Sequence, residues 1–273
     1  MKKIFLVVIL IATAALITYF YKKENSHNGR IKVSGNMEAT DVRLSFRVAG
    51  KIKEILVDEG SVVKSGDVVA RIDTDELIKI KNEAESSLKS AEFTYERARD
   101  DYARMENLFK AGSISEQKRD SAKTSADSAK ANVDALSASL ELAVTRLGFA
   151  ELVSPISGFV LVKSAEVGEV VVAGSVIFTV ADLSDIWLTG YVNETDLGKV
   201  KLNQEAEIRT DTYPDKIYIG RISFISQEAE FTPKQIQTTE ERVKLVYRIK
   251  IKADNPNYEL KPGMPADGYV IND

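Results

Sequence analysis

The sequence predicts an elongated protein of mixed α and β structure. We expect an N-terminal membrane anchor, a β-sandwich interrupted by an antiparallel coiled-coil hairpin, and a C-terminal antiparallel β-barrel. Three observations support this prediction. An uncharged apolar segment lies near the N-terminus, a central stretch of more than seventy residues contains no proline, and two similar glycine-punctuated motifs flank that stretch.

Residues 1–22 are predicted to be a transmembrane anchor. Eighteen residues from Ile4 to Tyr21 carry no charge, which is enough for a helix to span a bilayer. The alternative is a cleaved signal peptide, because Ala12-Thr13-Ala14 is a possible cleavage site. The apolar run continues beyond that site, which favours the uncleaved anchor. The short basic N-terminus favours a cytoplasmic start, with the rest of the chain exported.

Residues 23–41 are predicted to be a linker with a leading strand, and residues 42–74 together with 149–182 to form one sandwich domain. The two parts of that domain contain an internal repeat, in which the glycines have the same spacing of ten and six residues. The matching glycines are Gly50, Gly60 and Gly66 in the first copy and Gly158, Gly168 and Gly174 in the second. Each copy has short β-branched strands broken at glycines that permit turns. One copy cannot bury its apolar face alone, so the two copies are expected to pack together.

Residues 75–148 are predicted to form the hairpin, because apolar or small residues recur there with alternating steps of three and four. These seam residues are Leu88, Ala91, Tyr95, Ala98, Tyr102, Met105 and Phe109 before Gly112, and Ala122, Ala126, Ala129, Val133, Leu136, Leu140, Ala143 and Leu147 after it. This pattern is typical of a coiled coil. Two arms of about thirty-five residues would each reach about 50 Å. Asp73-Thr74-Asp75-Glu76 is expected to cap the first helix. From periodicity alone, the hairpin is equally well a simple spacer between domains.

Residues 183–273 are predicted to form a small antiparallel β-barrel, to which the leading strand adds. Short strands alternate there with turns marked by proline and glycine, such as Asn255-Pro256-Asn257 and Lys261-Pro262-Gly263. At Asn203-Gln204 the pattern needs a turn, and asparagine tolerates a left-handed backbone there.

The two half-motifs resemble a biotinyl/lipoyl domain split by a coiled coil. This arrangement is that of the HlyD-type membrane fusion proteins, the periplasmic adaptor subunits of tripartite efflux and secretion systems. The segments Val33 to Ala39 and Leu152 to Gly158 also resemble that family, as do Leu260 to Met264 in the barrel. The resemblance extends from about residue 31 to the end of the sequence. A separate membrane-proximal domain is expected to be absent.

A true carrier domain presents a modifiable lysine on the turn that the hairpin replaces here. The nearest candidate, Lys79, falls in the first turns of the predicted helix, which argues against a biotin or lipoyl carrier subunit. No cofactor is therefore expected, because the lipoyl-like fold is used as a scaffold.

Composition argues against several other classes of function. The chain has no cysteine and one histidine, His27, which lies in the linker. This excludes disulfides and thiol chemistry and removes the usual general base, and we expect neither a metal site nor catalytic residues. The net charge is −4 with interspersed signs, so no nucleic-acid partner is expected. The protein is predicted not to be an enzyme.

The predicted working surface is the tip of the hairpin. In family members that engage TolC-like channels, the tip carries an arginine, a leucine four residues later and a serine seven residues beyond it. Arg104, Leu108 and Ser115 match that spacing. The alternative interpretation is that Leu108 closes the end of the coiled coil, Ser115 caps the second helix and Arg104 is solvated.

The resemblance implies a single-pass inner-membrane protein with most of its chain in the periplasm. It would link an exporter in the inner membrane to a TolC-like outer-membrane channel and would self-associate, as a hexamer. The single short hairpin favours an ABC-type exporter over major-facilitator or RND partners. An anchored envelope scaffold without a channel partner remains the alternative.

Overall fold

The computed structural model describes residues 30–231 and 245–271. The predicted anchor, residues 1–22, and His27 lie outside these ranges. Within them, no helix is both long enough and apolar enough to cross a membrane.

The described ranges contain the following elements. The strands are β1 (Ile31–Ser45), β2 (Gly50–Ile55), β3 (Val62–Val63), β4 (Val68–Ile72), β5 (Glu151–Val153), β6 (Gly158–Lys163), β7 (Val170–Val171), β8 (Val176–Asn193), β9 (Glu205–Thr210), β10 (Tyr213–Phe231), β11 (Leu245–Ala253) and β12 (Pro265–Val270). The helices are α1 (Asp75–Lys110), α2 (Glu116–Gly148) and α3 (Glu194–Leu197). The chain divides into two compact units, one formed by residues 41–181 and the other by the residues before and after them.

In the unit formed by the first and last parts of the chain, the described residues 30–40, 182–231 and 245–271 form an antiparallel β-barrel. Its strands follow the order β1-β12-β9-β10-β11-β8, and a further pairing of β1 with β8 closes the ring. The leading strand therefore adds to the barrel, as the sequence predicts. Gly35 is required where the barrel closes, because a Cβ at this position would lie 1.9 Å from the carbonyl oxygen of Thr189. Fully buried side chains such as Leu188, Ile208 and Ile251 fill the interior.

Two turns of the barrel lie where the sequence predicts them. Asn203 has φ +64°, so it adopts the left-handed backbone predicted for it. The side chain of Asn255 is buried. Its amide nitrogen donates hydrogen bonds to the carbonyl oxygens of Leu183 and Leu260, each at 2.9 Å, and its oxygen accepts one from the Leu260 amide at 3.0 Å.

The other unit, Asp41–Ala181, contains a sandwich whose two halves exchange strands. In the first half β2 pairs with β4, and in the second half β6 pairs with β8. The short strand β3 of the first half pairs with β6, and the short strand β7 of the second half pairs with β2. Four of the repeated glycines have positive φ, and these are Gly60 (82°), Gly66 (95°), Gly168 (96°) and Gly174 (88°). The glycine spacing in the sequence therefore reflects two equivalent sets of left-handed turns.

The same unit carries α1 and α2, which pack along each other and are joined by residues 111–115. The N-cap residue of α1, Thr74, makes no side-chain capping hydrogen bond. The Asp73 carboxylate accepts a hydrogen bond from the Asp75 amide at 2.9 Å, so the acidic segment satisfies one free amide of the first turn. The predicted seam residues are all buried or half-buried, whereas most other residues of the two helices are exposed. Ala91, Ala126 and Ala143 are the most deeply buried of these helical residues. Because they are so small, they bury little apolar area at each layer.

Candidate functional site at the hairpin turn

The first helix ends in a glycine turn that sets the shape of the tip. Gly112 has φ +71°, a conformation that side-chain-bearing residues rarely adopt. Its amide donates to the carbonyl of Phe109 at 2.8 Å, and the Ser113 amide donates to the carbonyl of Leu108 at 2.9 Å. This pair of hydrogen bonds is a Schellman motif, which satisfies the free carbonyls at the end of a helix.

The second helix begins directly after Ser115, which occupies its N-cap position. Ser115 is extended, with φ −76° and ψ 155°, but its side chain makes no capping hydrogen bond. Its carbonyl accepts hydrogen bonds from the amides of Lys118 and Arg119. The hydroxyl is exposed. It can therefore bind a partner without uncapping the helix.

Arg104 and Leu108 lie one turn apart on α1, so their side chains share a face. The Arg104 side chain is 67% exposed and forms a 3.4 Å ion pair with Asp101. An ion pair this exposed contributes little to stability. Leu108 is 37% exposed, even though it is a large apolar residue at the end of a helix. The alternative role for Leu108, closing the end of the coiled coil, stays open.

A groove of about 1110 Å³ runs along one side of the hairpin and reaches Leu108. Half-buried seam residues such as Ala98, Met105 and Ala122 line it together with more exposed residues. Phe93, which is 62% exposed, and the cations Arg97 and Lys118 contribute to its sides. The groove is therefore partly apolar, and its lining carries charges of both signs, since Asp101 also contributes to it.

Arg119 is the residue of this region that sequence analysis missed. Its guanidinium lies 4.5 Å from the centre of the Phe109 ring, across the turn. It also forms ion pairs with Asp120 at 2.6 Å and Glu116 at 2.9 Å. These carboxylates, chiefly Asp120 through its hydrogen bond, raise the pKa of Arg119 above its usual value. The sequence does contain one signal for it: Arg119 lies three residues before Ala122 and seven before Ala126, which continues the spacing of the seam residues.

The tip thus offers an apolar knob, an exposed cation and a free hydroxyl, which suit recognition of a protein surface rather than bond chemistry. Among the described residues, no group of three or more His, Asp or Glu side chains is placed to hold a metal ion. The three residues predicted from the sequence are all exposed near one turn. Their proposed contact with a channel stays a prediction.

Comparison with known proteins identifies the family. A family model described as a CzcB-like barrel-sandwich hybrid domain matches residues 41–182, and one described as a YknX-like beta-barrel domain matches residues 186–267. The structure of the membrane fusion protein Spr0693 from Streptococcus pneumoniae R6 has a similar fold, with a TM-score of 0.71 at 19% identity. The similarity covers 89% of this chain and 99% of that one. The chain belongs to the membrane fusion protein family.

Two further relatives of this membrane fusion protein extend the comparison. MacA from Actinobacillus actinomycetemcomitans is 25% identical with a TM-score of 0.67, over 89% of this chain and 78% of that chain. A UPF0194 membrane protein from Yersinia pseudotuberculosis is 28% identical over 319 aligned positions, covering 97% of each chain. The resemblance to membrane fusion proteins found in the sequence is confirmed.

Proposed function

We propose that this membrane fusion protein is a periplasmic adaptor that links an inner-membrane exporter to a TolC-like outer-membrane channel. Its family membership supports the adaptor role, because membrane fusion proteins work with transporters and outer-membrane channels in tripartite assemblies. The protein supplies contacts rather than chemistry, and the transporter supplies the energy.

The exposure of Leu108 is the observation that carries this proposal. A large, partly exposed apolar side chain at the end of a helix is suited to a groove between the helices of a partner. Arg104 lies one turn away, and the Ser115 hydroxyl is not used in capping. Both can hydrogen-bond to polar groups at the rim of such a groove.

The remaining parts of the assembly follow the domain division predicted from the sequence. Residues 1–22 anchor the chain in the inner membrane, and α1 and α2 act as an antiparallel coiled-coil arm. Several copies, in a hexamer, place their arms side by side. Helices of 36 and 33 residues make a short arm, which favours an ABC-type exporter as the partner.

The test is in-cell crosslinking from a cysteine placed at Leu108, with a matched control at Ser128. Both positions are exposed on the hairpin, and the chain has no native cysteine. A crosslink to an outer-membrane protein from position 108 but not from position 128 is expected. If neither position gives a product while the channel is expressed, the anchored scaffold without a channel partner becomes the better hypothesis. Mass added at a lysine, such as Lys79, would instead support a carrier subunit.

A further inference from the structure

The outer half of the hairpin needs a device that fixes how its helices align. On α1 its seam residues are mostly large, and these are Tyr95, Tyr102, Met105 and Phe109, whereas the seam of α2 there is made of Ala122, Ala126 and Ala129. The alanine side chains of α2 bury little area at each layer. They are also nearly interchangeable, so a seam made of them specifies the alignment of the two helices only weakly.

Arg119 interrupts this seam at its outer end. It lies in register with Ala122 and Ala126 and so occupies a position that otherwise faces α1. Its side chain is only 21% exposed, compared with 57% for Arg99 on the outside of the same hairpin. Arg119 faces Phe109, which is the last apolar seam residue of α1.

The guanidinium of Arg119 has partners both on its face and along its edge in this arrangement. One face contacts the Phe109 ring, and a cation over a ring is favourable when water is partly excluded. Its N–H groups reach Glu116 and Asp120. Both carboxylates belong to α2, as Arg119 does, so they keep their positions relative to Arg119 if the helices shift. The ring belongs to α1. A shift of one helix along the other by a turn would therefore remove the ring and bring the charged group against Met105, the preceding seam residue of α1, where desolvation is costly.

We propose that Arg119 and Phe109 lock the register of the two hairpin helices. A single polar residue at a seam position is a well-attested means of fixing alignment in coiled coils, at some cost in stability. Arginine fits this role better than lysine, because its planar group can stack on the ring while its edge binds carboxylates.

The lock has a consequence for docking, and this consequence rests on the proposed function. Leu108 adjoins Phe109 on α1, and Ser115 precedes α2 by one residue. A slip of one helical turn would displace the helices by about 5.4 Å. Such a slip would change the spacing of the two residues and distort the turn at Gly112. Arg119 is thus a positioning residue for the tip rather than a contact residue.

The experiment measures alignment directly in the full chain. Spin labels are attached at Ser90→Cys and Ser125→Cys, two serines that line the groove on opposite helices. Labelled protein is diluted with unlabelled protein so that only distances within one chain are recorded. The doubly labelled protein without further substitutions should give a single distance between the two spin labels. Arg119→Ala should add a second population shifted by about one helical turn, about 5.4 Å, with helical content unchanged by circular dichroism.

Matched variants separate alignment from stability. Arg99→Ala removes an exposed arginine that also pairs with the next residue in the chain, Asp100, and should keep a single distance. Phe109→Tyr retains the ring and should do the same. Phe109→Leu keeps an apolar seam without the ring and should show the second population, so the lock remains testable if Arg119→Ala lowers helicity.

The outcomes distinguish this proposal from the proposed function. A single, unchanged distance in both Arg119→Ala and Phe109→Leu overturns the lock. A second population in Arg119→Ala with full crosslinking from position 108 would show that register does not govern docking. No crosslink from position 108 in the parent, together with a shifted distance in Arg119→Ala, would leave the lock intact and reject the channel-docking function.

Discussion

Gly50 and Val171 face each other on adjacent antiparallel strands, although they belong to opposite halves of the internal repeat. The equivalent residues, Gly158 and Val63, are paired in the same way. Each half therefore supplies one short strand to the other, and neither half is complete by itself. We therefore expect the same substitution at equivalent positions of the two halves to lower the free energy of unfolding by the same amount.

Val63→Ala and Val171→Ala should each lower the free energy of unfolding by about 2 kcal/mol, because both side chains are nearly fully buried. The neighbouring Val62 and Val170 are 67% and 77% exposed. Their alanine variants should change stability by no more than about 0.5 kcal/mol. Chemical denaturation of all four variants measures the effect. A large difference between Val63→Ala and Val171→Ala would contradict the equivalence of the halves.

Gly112→Ala should destabilise the hairpin by about 1 kcal/mol through the backbone alone. A Cβ at this position would meet no heavy atom within 4 Å, so no steric clash contributes. Gly148→Ala is the matched control, since this glycine also has open space but lies in a helix and has no positive φ. That variant should be neutral or stabilising. Thermal unfolding followed by the helical circular dichroism signal compares the two.

Asn255→Ala should lower the free energy of unfolding of the barrel by about 3 kcal/mol. The side chain makes three hydrogen bonds to backbone groups, and its removal leaves buried polar groups without partners. Asn257→Ala, an exposed position in the same turn, should have little effect. Equal stability of the two variants in urea would show that the Asn255 bonds do not hold the turn.

Alkaline pH should destabilise the barrel through Tyr218. Burial, assisted by the hydrogen bond to Glu259 at 2.9 Å, raises the pKa of Tyr218 to about 12. The unfolded chain loses this proton near pH 10, so between about pH 10 and 12 the folded state binds more protons than the unfolded state. Stability should therefore fall as pH rises through this window.

Two measurements test the role of Tyr218. Tyrosinate absorbance in the parent minus that in Tyr218→Phe should show one group titrating near pH 12. The unfolding free energy of Tyr218→Phe should depend less on pH above 10 than that of the parent. A difference titration centred at pH 10 would contradict the raised pKa.

Local signals in the sequence were sufficient for the repeat and for the hairpin seam. The repeat can be recognised from its glycines because four of them adopt positive φ, a conformation in which other residues are strained. The seam is visible because small and apolar residues recur at a helical period. Asn203 was also predictable, since few residue types adopt its backbone conformation.

Long-range features were not predictable in the same way. The strand exchange joins residues about a hundred positions apart in the chain. The local pattern of Val62-Val63 or of Val170-Val171 does not indicate which strand each of them will pair with. Arg119 was missed because a charged residue in a helix is normally assigned to the solvated face. The low exposure of its side chain, 21%, and the Phe109 ring 4.5 Å away show that Arg119 belongs to the seam.

The strand exchange also bears on the order in which the protein folds. Joining β3 to β6 closes a loop that contains the whole hairpin, and closing long loops slows folding. The hairpin itself forms through contacts between helices that follow each other directly. Once it closes, the end of β4 and the start of β5 are neighbours, as the 3.1 Å hydrogen bond from Ile72 to Ala150 shows. We therefore expect the arm to form first in the domain that carries it, so that helix formation precedes sandwich assembly in stopped-flow refolding.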